Sequence, residues 1–469
     1  MRLNEALTEI PGLKYIAESM ELISAPAKKR LRELRFMTDA VEINDTLDRL
    51  AIFGKEIEKA DKKTIGRLEN ILMRLHDIST SLDRLKKGET LDDIELFEVK
   101  SLAFLELETN NLPENFAKNT IALPDLTEVR KILDPDSLGT PFFYIYDSYD
   151  NRIAELRKKL KETEIQSDAY TGIYAELNRE EEKIRKNLAE RLRPFADNME
   201  KTLLGLCEAD LLLAKTKLNS KLGLQRPEII EEDFCEWKNL VNPEIEDHLE
   251  KKGKRYQPVS FTARKGVSLV TGANMGGKTV LLKTMALGQS MAQFGFYVPA
   301  ETSRLTPVDH IMLSTGDRQS ETNGLSSFGA EMMRINEALA IARSSKRSLI
   351  LIDEPARTTN PEEGKAITSA IIEIFSTLNS ITVITSHYSG LSCQRRFRVK
   401  GLSEKVLPER CRPSDLSDLM DYSITEAGGD KIPHEALRVA RLMGTDEEII
   451  KTAQKFYMQG DSYKEPILN

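Results

Sequence analysis

One octapeptide constrains this chain more than any other feature. Gly272-Ala273-Asn274-Met275-Gly276-Gly277-Lys278-Thr279 has the spacing of a phosphate-binding loop. Val267-Ser268-Leu269-Val270-Thr271 before it reads as a buried strand, and Val280, Leu281, Met285 and Ala286 after it follow helical spacing. Glycines let such a loop wrap a phosphate chain with its N–H groups turned inward. Lys278 is then placed to reach the outer phosphates, and the Thr279 hydroxyl to meet Mg²⁺. A glycine-rich turn beside a surface lysine shares the spacing but lacks the strand-loop-helix context. The expectation is a nucleotide site for ATP and Mg²⁺.

A chain of 469 residues exceeds one ordinary core, so two or more domains are expected. Its formal net charge of −8 gives no overall attraction to nucleic acid or anionic membranes, although a local basic patch remains open. Cys207, Cys235, Cys393 and Cys411 have no metal-ligand spacing and suit a reducing compartment. The N-terminus lacks the apolar core of a signal peptide, and no apolar run is long enough to cross a bilayer. A cytoplasmic location without membrane contact is expected.

Residues 1–232 read as a helical region, with leucine-rich periodic stretches such as Leu68-Glu69-Asn70-Ile71-Leu72. These leucines are read as helix-packing faces rather than a partner-binding zipper. The pattern breaks at Pro135 to Pro141 and resumes as a charged helical hairpin, an arm over about residues 145–195. Residues 151–200 carry eleven basic and eleven acidic side chains, a balance that fits a solvated surface better than a DNA clamp. The best local basic face is Arg157-Lys158-Lys159-Leu160-Lys161. From 233 to 469, apolar runs including Ser348-Leu349-Ile350-Leu351-Ile352 and Ile381-Thr382-Val383-Ile384-Thr385 alternate with helices. That alternation predicts an α/β domain with a largely parallel sheet, ending in a helical tail from about residue 430.

Within this second part, Asp353-Glu354 ends an apolar strand. Asp353 is the candidate Mg²⁺ ligand and Glu354 the group that orients or deprotonates an attacking water. Ser326 and Ser327 precede the helix from Met332, where a hydroxyl and helix N-terminal amides suit a γ-phosphate. His387 follows the strand ending at Thr385, as a candidate phosphate-sensing imidazole.

With these residues in view, Thr271 to Tyr388 resembles the ATPase domain of the MutS family, a branch of the ABC-type ATPases. The loop is similar to the family's Gly-Pro-Asn-Met-Gly-Gly-Lys-Ser, and Phe294-Gly295-Phe296-Tyr297-Val298-Pro299-Ala300, Ser326-Ser327-Phe328 with Glu331-Met332, Asp353-Glu354 and Thr385-Ser386-His387-Tyr388 follow in family order. Leu91 to Lys100 resembles the family's helical core. The resemblance implies a multidomain α and α/β chain: a helical core with a projecting arm, then an ABC-type P-loop ATPase domain. It further implies a homodimer or heterodimer through the ATPase domains, with Ser326 acting in trans and the tail supporting the dimer.

The departures shape the functional expectation. The sequence starts directly with the helical core and stops soon after the tail, so the mismatch-reading domain and a nuclease-like extension are expected to be missing. Asn242-Pro243 stands where the family has His-Pro, which leaves the adenine-side contacts open; Leu325 replaces a usual arginine, and Asp353-Glu354-Pro355-Ala356-Arg357 departs from the glycine-rich family pattern. This layout resembles the MutS-related ATPase subunit of the reactivating factor for lysine 5,6-aminomutase, which implies a protein client. The alternatives are a MutS homologue acting on branched or mismatched DNA, and a nucleotide-binding scaffold without hydrolysis.

Overall fold

The computed structural model describes residues 1–462 apart from 114–115, 117–119, 166, 273–275, 316–326, 404–410 and 428–434, and describes only the backbone of 327, 413–414, 435 and 457–462. The chain divides into two compact units. One joins Met20–Leu34 to Asp48–Leu218; the other joins Met1–Ser19, Arg35–Leu47 and Asn219–Asn469.

The first of these units is helical. Its helix Asp93–Asn110 starts at a capping box in which Asp92 accepts from the Glu95 amide at 2.8 Å and Glu95 accepts from the Asp92 amide at 2.9 Å. Behind that cap, Leu96, Val99, Leu102, Ala103 and Leu105 are buried. The buried carboxylate of Asp210 accepts from the amides of Ile23 and Ser24 at 3.1 and 2.7 Å and from the Ser24 hydroxyl at 2.6 Å. The hairpin expected from the charge pattern is formed by helices Asn151–Glu162 and Asp168–Leu192. Ile153, Leu156, Leu177, Ile184 and Leu188 supply its buried face. Arg152 pairs with Glu176 across the hairpin, and Arg157 with Glu181 at 2.9 Å and Asp147 at 2.6 Å. Arg157 is therefore withdrawn from the basic face anticipated there, whereas Lys158, Lys159 and Lys161 are exposed.

Lys100 is fully buried in this unit. Its ammonium donates to Asp134 at 3.0 Å, to the Phe142 carbonyl at 2.8 Å and to the Tyr146 hydroxyl at 2.8 Å. All three ammonium protons thus have acceptors, the condition under which a buried charge is tolerated.

The second unit is built on two sheets. The smaller has the order β1 (Glu228–Ile229), β5 (Thr302–Leu305), β2 (Phe234–Leu240), β3 (Val259–Arg264). The larger has six strands in the order β10 (Met420–Glu426), β9 (Arg395–Leu402), β4 (Gly266–Thr271), β8 (Ser380–Ser386), β7 (Ser348–Ile352), β6 (His310–Ser314). All its pairings are parallel except that of β10 with β9. Every residue of β4, β7 and β8 is buried, the signature of parallel strands covered on both faces. The covering helices include Lys278–Gln293, Ser327–Ser344 and Pro361–Ser376. Helices Glu435–Leu442 and Glu447–Ser462 form the tail. Among the described residues, no helix is long and apolar enough to cross a membrane.

Residues Arg35–Leu47 join this unit through Gln293, the last residue of the phosphate-loop helix. Its buried amide donates to the carbonyls of Met37 at 2.7 Å and Val308 at 2.8 Å, while the Met37 amide donates back to the Gln293 carbonyl at 2.9 Å. Phe36 packs edge-on against Phe294 at 5.4 Å.

The buried lysine of the helical unit gives a stability test. Lys100→Met leaves the Asp134 carboxylate buried without its cation and is expected to lower the unfolding free energy by roughly 3–5 kcal/mol, read from urea denaturation. Adding Asp134→Leu is expected to restore much of that loss.

Candidate nucleotide site

The site lies at the carboxyl ends of three adjacent strands. In the parallel register Thr271 at the end of β4 pairs with Ser386 at the end of β8, and Ile352 at the end of β7 pairs with Ile384. The residues that follow therefore emerge together: Gly272 with Gly276 to Thr279, Asp353-Glu354, and His387-Tyr388. Open α/β sheets place ligands at such an edge.

Gly277 forms the N-cap of helix Lys278–Gln293 at φ +77°, a left-handed conformation. A Cβ there would stand 3.0 Å from the Tyr422 ring, so space and backbone both call for glycine. One residue on, the buried Lys278 ammonium donates to the Gly272 carbonyl at 2.8 Å and lies 3.0 Å from Glu354 Oε1. The Thr279 hydroxyl donates to Asp353 Oδ2 at 2.6 Å, and Thr385 donates to Asp353 Oδ1, also at 2.6 Å. Two threonines, one from helix Lys278–Gln293 and one from β8, thus fix the Asp353 carboxylate.

Glu354 has φ +46° and Ala356 φ +58°, left-handed conformations that cost about 1–3 kcal/mol each for residues other than glycine. Strain of this kind concentrates where a side chain must be aimed against backbone preference. The Glu354 carboxylate is only 9% exposed, and it meets Arg357 Nη1 at 3.4 Å and His387 Nδ1 at 3.9 Å as well as Lys278.

Two cations, Lys278 and Arg357, and the His387 imidazole surround one carboxylate and set its protonation. Burial pushes Glu354 upward, but the Lys278 charge and hydrogen bond, with His387 and Arg357, outweigh it and hold the carboxyl below its ordinary value. Burial also lowers His387; Glu354 opposes the shift while Lys278 and Arg357 reinforce it. Hence Glu354 is ionised and His387 neutral near pH 7. Both folded values lie below the unfolded ones, so each group's contribution to stability is present at neutral pH and lost as the pH falls through the folded value.

Ala273, Asn274, Met275 and Ser326 lie outside the described residues, and Ser327 opens its helix with an undescribed side chain. The structure thus brings Gly272, Gly276, Gly277, Lys278, Thr279, Asp353, Glu354 and His387 to one sheet edge. It also shows side chains to which sequence reasoning assigned no role. Thr385 bridges Asp353 and the Glu354 amide; the sequence shows it only as part of the Thr385-Ser386-His387-Tyr388 motif, with no role of its own.

A cavity of about 230 Å³ opens beside Gly276 and Gly277, walled by Leu249, Tyr256, Val259, Val280, Leu281 and Tyr422. Asn242 does not line it. That buried side chain caps helix Pro243–Glu250 by accepting from the Ile245 amide at 3.3 Å and reaches the Thr284 hydroxyl at 3.5 Å, thereby fixing the wall. A mainly apolar slot with two tyrosines, next to a phosphate loop, has the size and chemistry for a purine base.

The fold and this edge define the class: an α/β domain of P-loop type, with an acidic pair on the next strand but one. Residues 268–459 match the family model for MutS domain V, so the chain carries that domain of the MutS family. It is similar to Endonuclease MutS2 of Thermus thermophilus, with 32% identity over 336 residues, covering 70% of this chain and 40% of that protein. Against Endonuclease MutS2 of Levilactobacillus brevis the identity is 26% over 469 residues, covering 83% and 57%. Endonuclease MutS2 of Carboxydothermus hydrogenoformans is 31% identical over 280 residues, covering 59% and 34%. The chain thus spans between about a third and just over half of the length of these relatives.

The charge arrangement predicts the titration of the imidazole. His387 is expected to titrate below 6.5 in ¹H–¹⁵N spectra. In Glu354→Gln, which removes the carboxylate that raises it, the midpoint is expected to fall further.

Proposed function

We propose that the chain hydrolyses ATP at this edge and couples nucleotide state to DNA. The observation that carries the hydrolytic part is the joint placement of Lys278 against Glu354 and of Thr279 against Asp353. Lys278 neutralises charge on the outer phosphates, the loop amides cradle the chain, and Glu354, kept ionised, orients and deprotonates the attacking water. His387 contributes a neutral imidazole on the far side of Glu354. Thr279 and Asp353 offer a hydroxyl and a carboxylate 2.6 Å apart, hard oxygen donors that fit Mg²⁺ completed by phosphate and water. When bound, that ion supplies electrostatic stabilisation of the β- and γ-phosphate oxygens. Following the family resemblance, two ATPase domains pair and Ser326 serves the partner's nucleotide.

DNA is favoured as the load because the relatives that cover most of this chain are named Endonuclease MutS2. On the arm, exposed Lys158, Lys159 and Lys161 offer a small basic face for branched or mismatched duplexes. A second reading, a protein client such as a cobalamin-dependent aminomutase, has support from the same arm. Arg152, Arg157 and Arg185 are engaged by carboxylates, which leaves little unbalanced charge for phosphate.

Turnover measured alone, with branched DNA at low and moderate salt, and with lysine 5,6-aminomutase separates these loads. Stimulation by DNA that declines as salt rises is expected; stimulation by the aminomutase alone would sink the DNA reading. For the engine itself, Lys278→Ala is expected to abolish nucleotide binding. Glu354→Gln is expected to retain binding and lose about 10²–10⁴-fold in kcat, and normal hydrolysis by it would refute the base assignment.

A further inference from the structure

Four polar backbone atoms just beyond Asp353 are each held by a different side chain. The Glu354 amide donates to Thr385 Oγ1 at 3.0 Å, and the Pro355 carbonyl accepts from Thr368 Oγ1 at 3.1 Å. The Ala356 amide donates to Glu331 Oε1 at 2.6 Å, and the Ala356 carbonyl accepts from the Tyr388 hydroxyl at 2.8 Å. These holders come from β8, from helix Pro361–Ser376, from helix Ser327–Ser344 and from the residue after His387. Ala356 is completely buried. Gly364 leaves room for the arrangement, because a Cβ there would lie 2.2 Å from the Tyr388 hydroxyl and 2.8 Å from the Ala356 carbonyl.

Glu331 is the one ionisable carboxylate among the four holders. Burial raises its pKa, and the Ala356 amide and Arg357 draw it back. A carboxylate half-removed from water costs solvation energy, and this one accepts a hydrogen bond from the backbone of a left-handed residue two positions from the candidate base. Any helix-former at position 331 would serve helix packing alone.

We propose that Glu331 is a positioning residue for hydrolysis: by gripping the Ala356 amide it holds the left-handed Glu354–Ala356 turn and so aims the Glu354 carboxylate. In this role Glu331 acts on the base and takes no part in binding phosphate. Because it stands five residues after Ser326 on the same stretch of chain, the grip also ties the helix that follows the signature serines to the base. The proposal rests on the ATPase reading above.

The test compares Glu331→Ala, Glu331→Gln and Tyr388→Phe with the wild type, measuring kcat, KM, the affinity for a non-hydrolysable ATP analogue, and Tm. Misplacement of a reacting group by about 1 Å costs on the order of 100-fold in rate, so Glu331→Ala is expected to lose about 10–100-fold in kcat with KM and analogue affinity nearly unchanged. Glu331→Gln keeps an acceptor oxygen at the same reach and is expected to recover most of that rate. Should Glu331→Ala not fold, Tyr388→Phe releases the other backbone group of the same residue, the Ala356 carbonyl, and is expected to show the same loss confined to kcat. Wild-type kcat in Glu331→Ala, equal damage in the Ala and Gln variants, or losses that track affinity and Tm would each overturn the positioning role while leaving the ATPase reading standing. A wild type that binds the analogue but does not turn over ATP would overturn both.

Discussion

The parallel hydrogen bonding of β4, β8 and β7 is the constraint on which the site depends. Each strand is buried along its whole length, so a one-residue slip would exchange the faces of every side chain in it. The register therefore sets the level at which the phosphate loop, the acidic pair and His387 leave the sheet. Lys278 and Glu354 are 76 positions apart in the chain and meet at 3.0 Å because their strands end at one edge.

What the sheet brings together, polar contacts then orient. Asp353 has both carboxylate oxygens taken by hydroxyls, from Thr279 and Thr385, which leaves it one rotameric state. Glu354 is aimed differently. Its backbone lies in a region that ordinary residues avoid, and its carboxylate faces Lys278, Arg357 and His387. A buried acid that faces two cations and an imidazole stays ionised despite its desolvation, which is the protonation state that water activation needs.

The helical unit follows a different economy. Its core leucines could be read from helical period alone, but its buried polar contacts could not. Lys100 sits in a stretch where any helix would expose a lysine to water, yet Asp134, Tyr146 and the Phe142 carbonyl close around it. The arm shows the converse. Its equal numbers of acids and bases are visible in composition, and the structure shows several of them cancelling by direct pairing of Arg152 and Arg157 with Glu176 and Glu181.

By itself the sequence determined the chemistry that is local in the chain. The glycine spacing before Lys278, the apolar run that ends in Asp353-Glu354, the hairpin and the alternation of strands with helices all follow from neighbouring residues, because loop geometry and periodicity are short-range properties. Tertiary structure alone decided the contacts made at long separation. Arg35–Leu47 joins the nucleotide-binding unit through Gln293, and Thr385 locks Asp353. Tyr256 and Tyr422 line one cavity beside Gly277, while Glu331 grips Ala356. None of these partners has a compositional or periodic signal, since a hydrogen bond or a cavity wall depends on where two distant segments come to rest. The phosphate loop could be read from eight residues, whereas the groups that hold the Glu354–Ala356 turn come from β8, from two helices and from Tyr388.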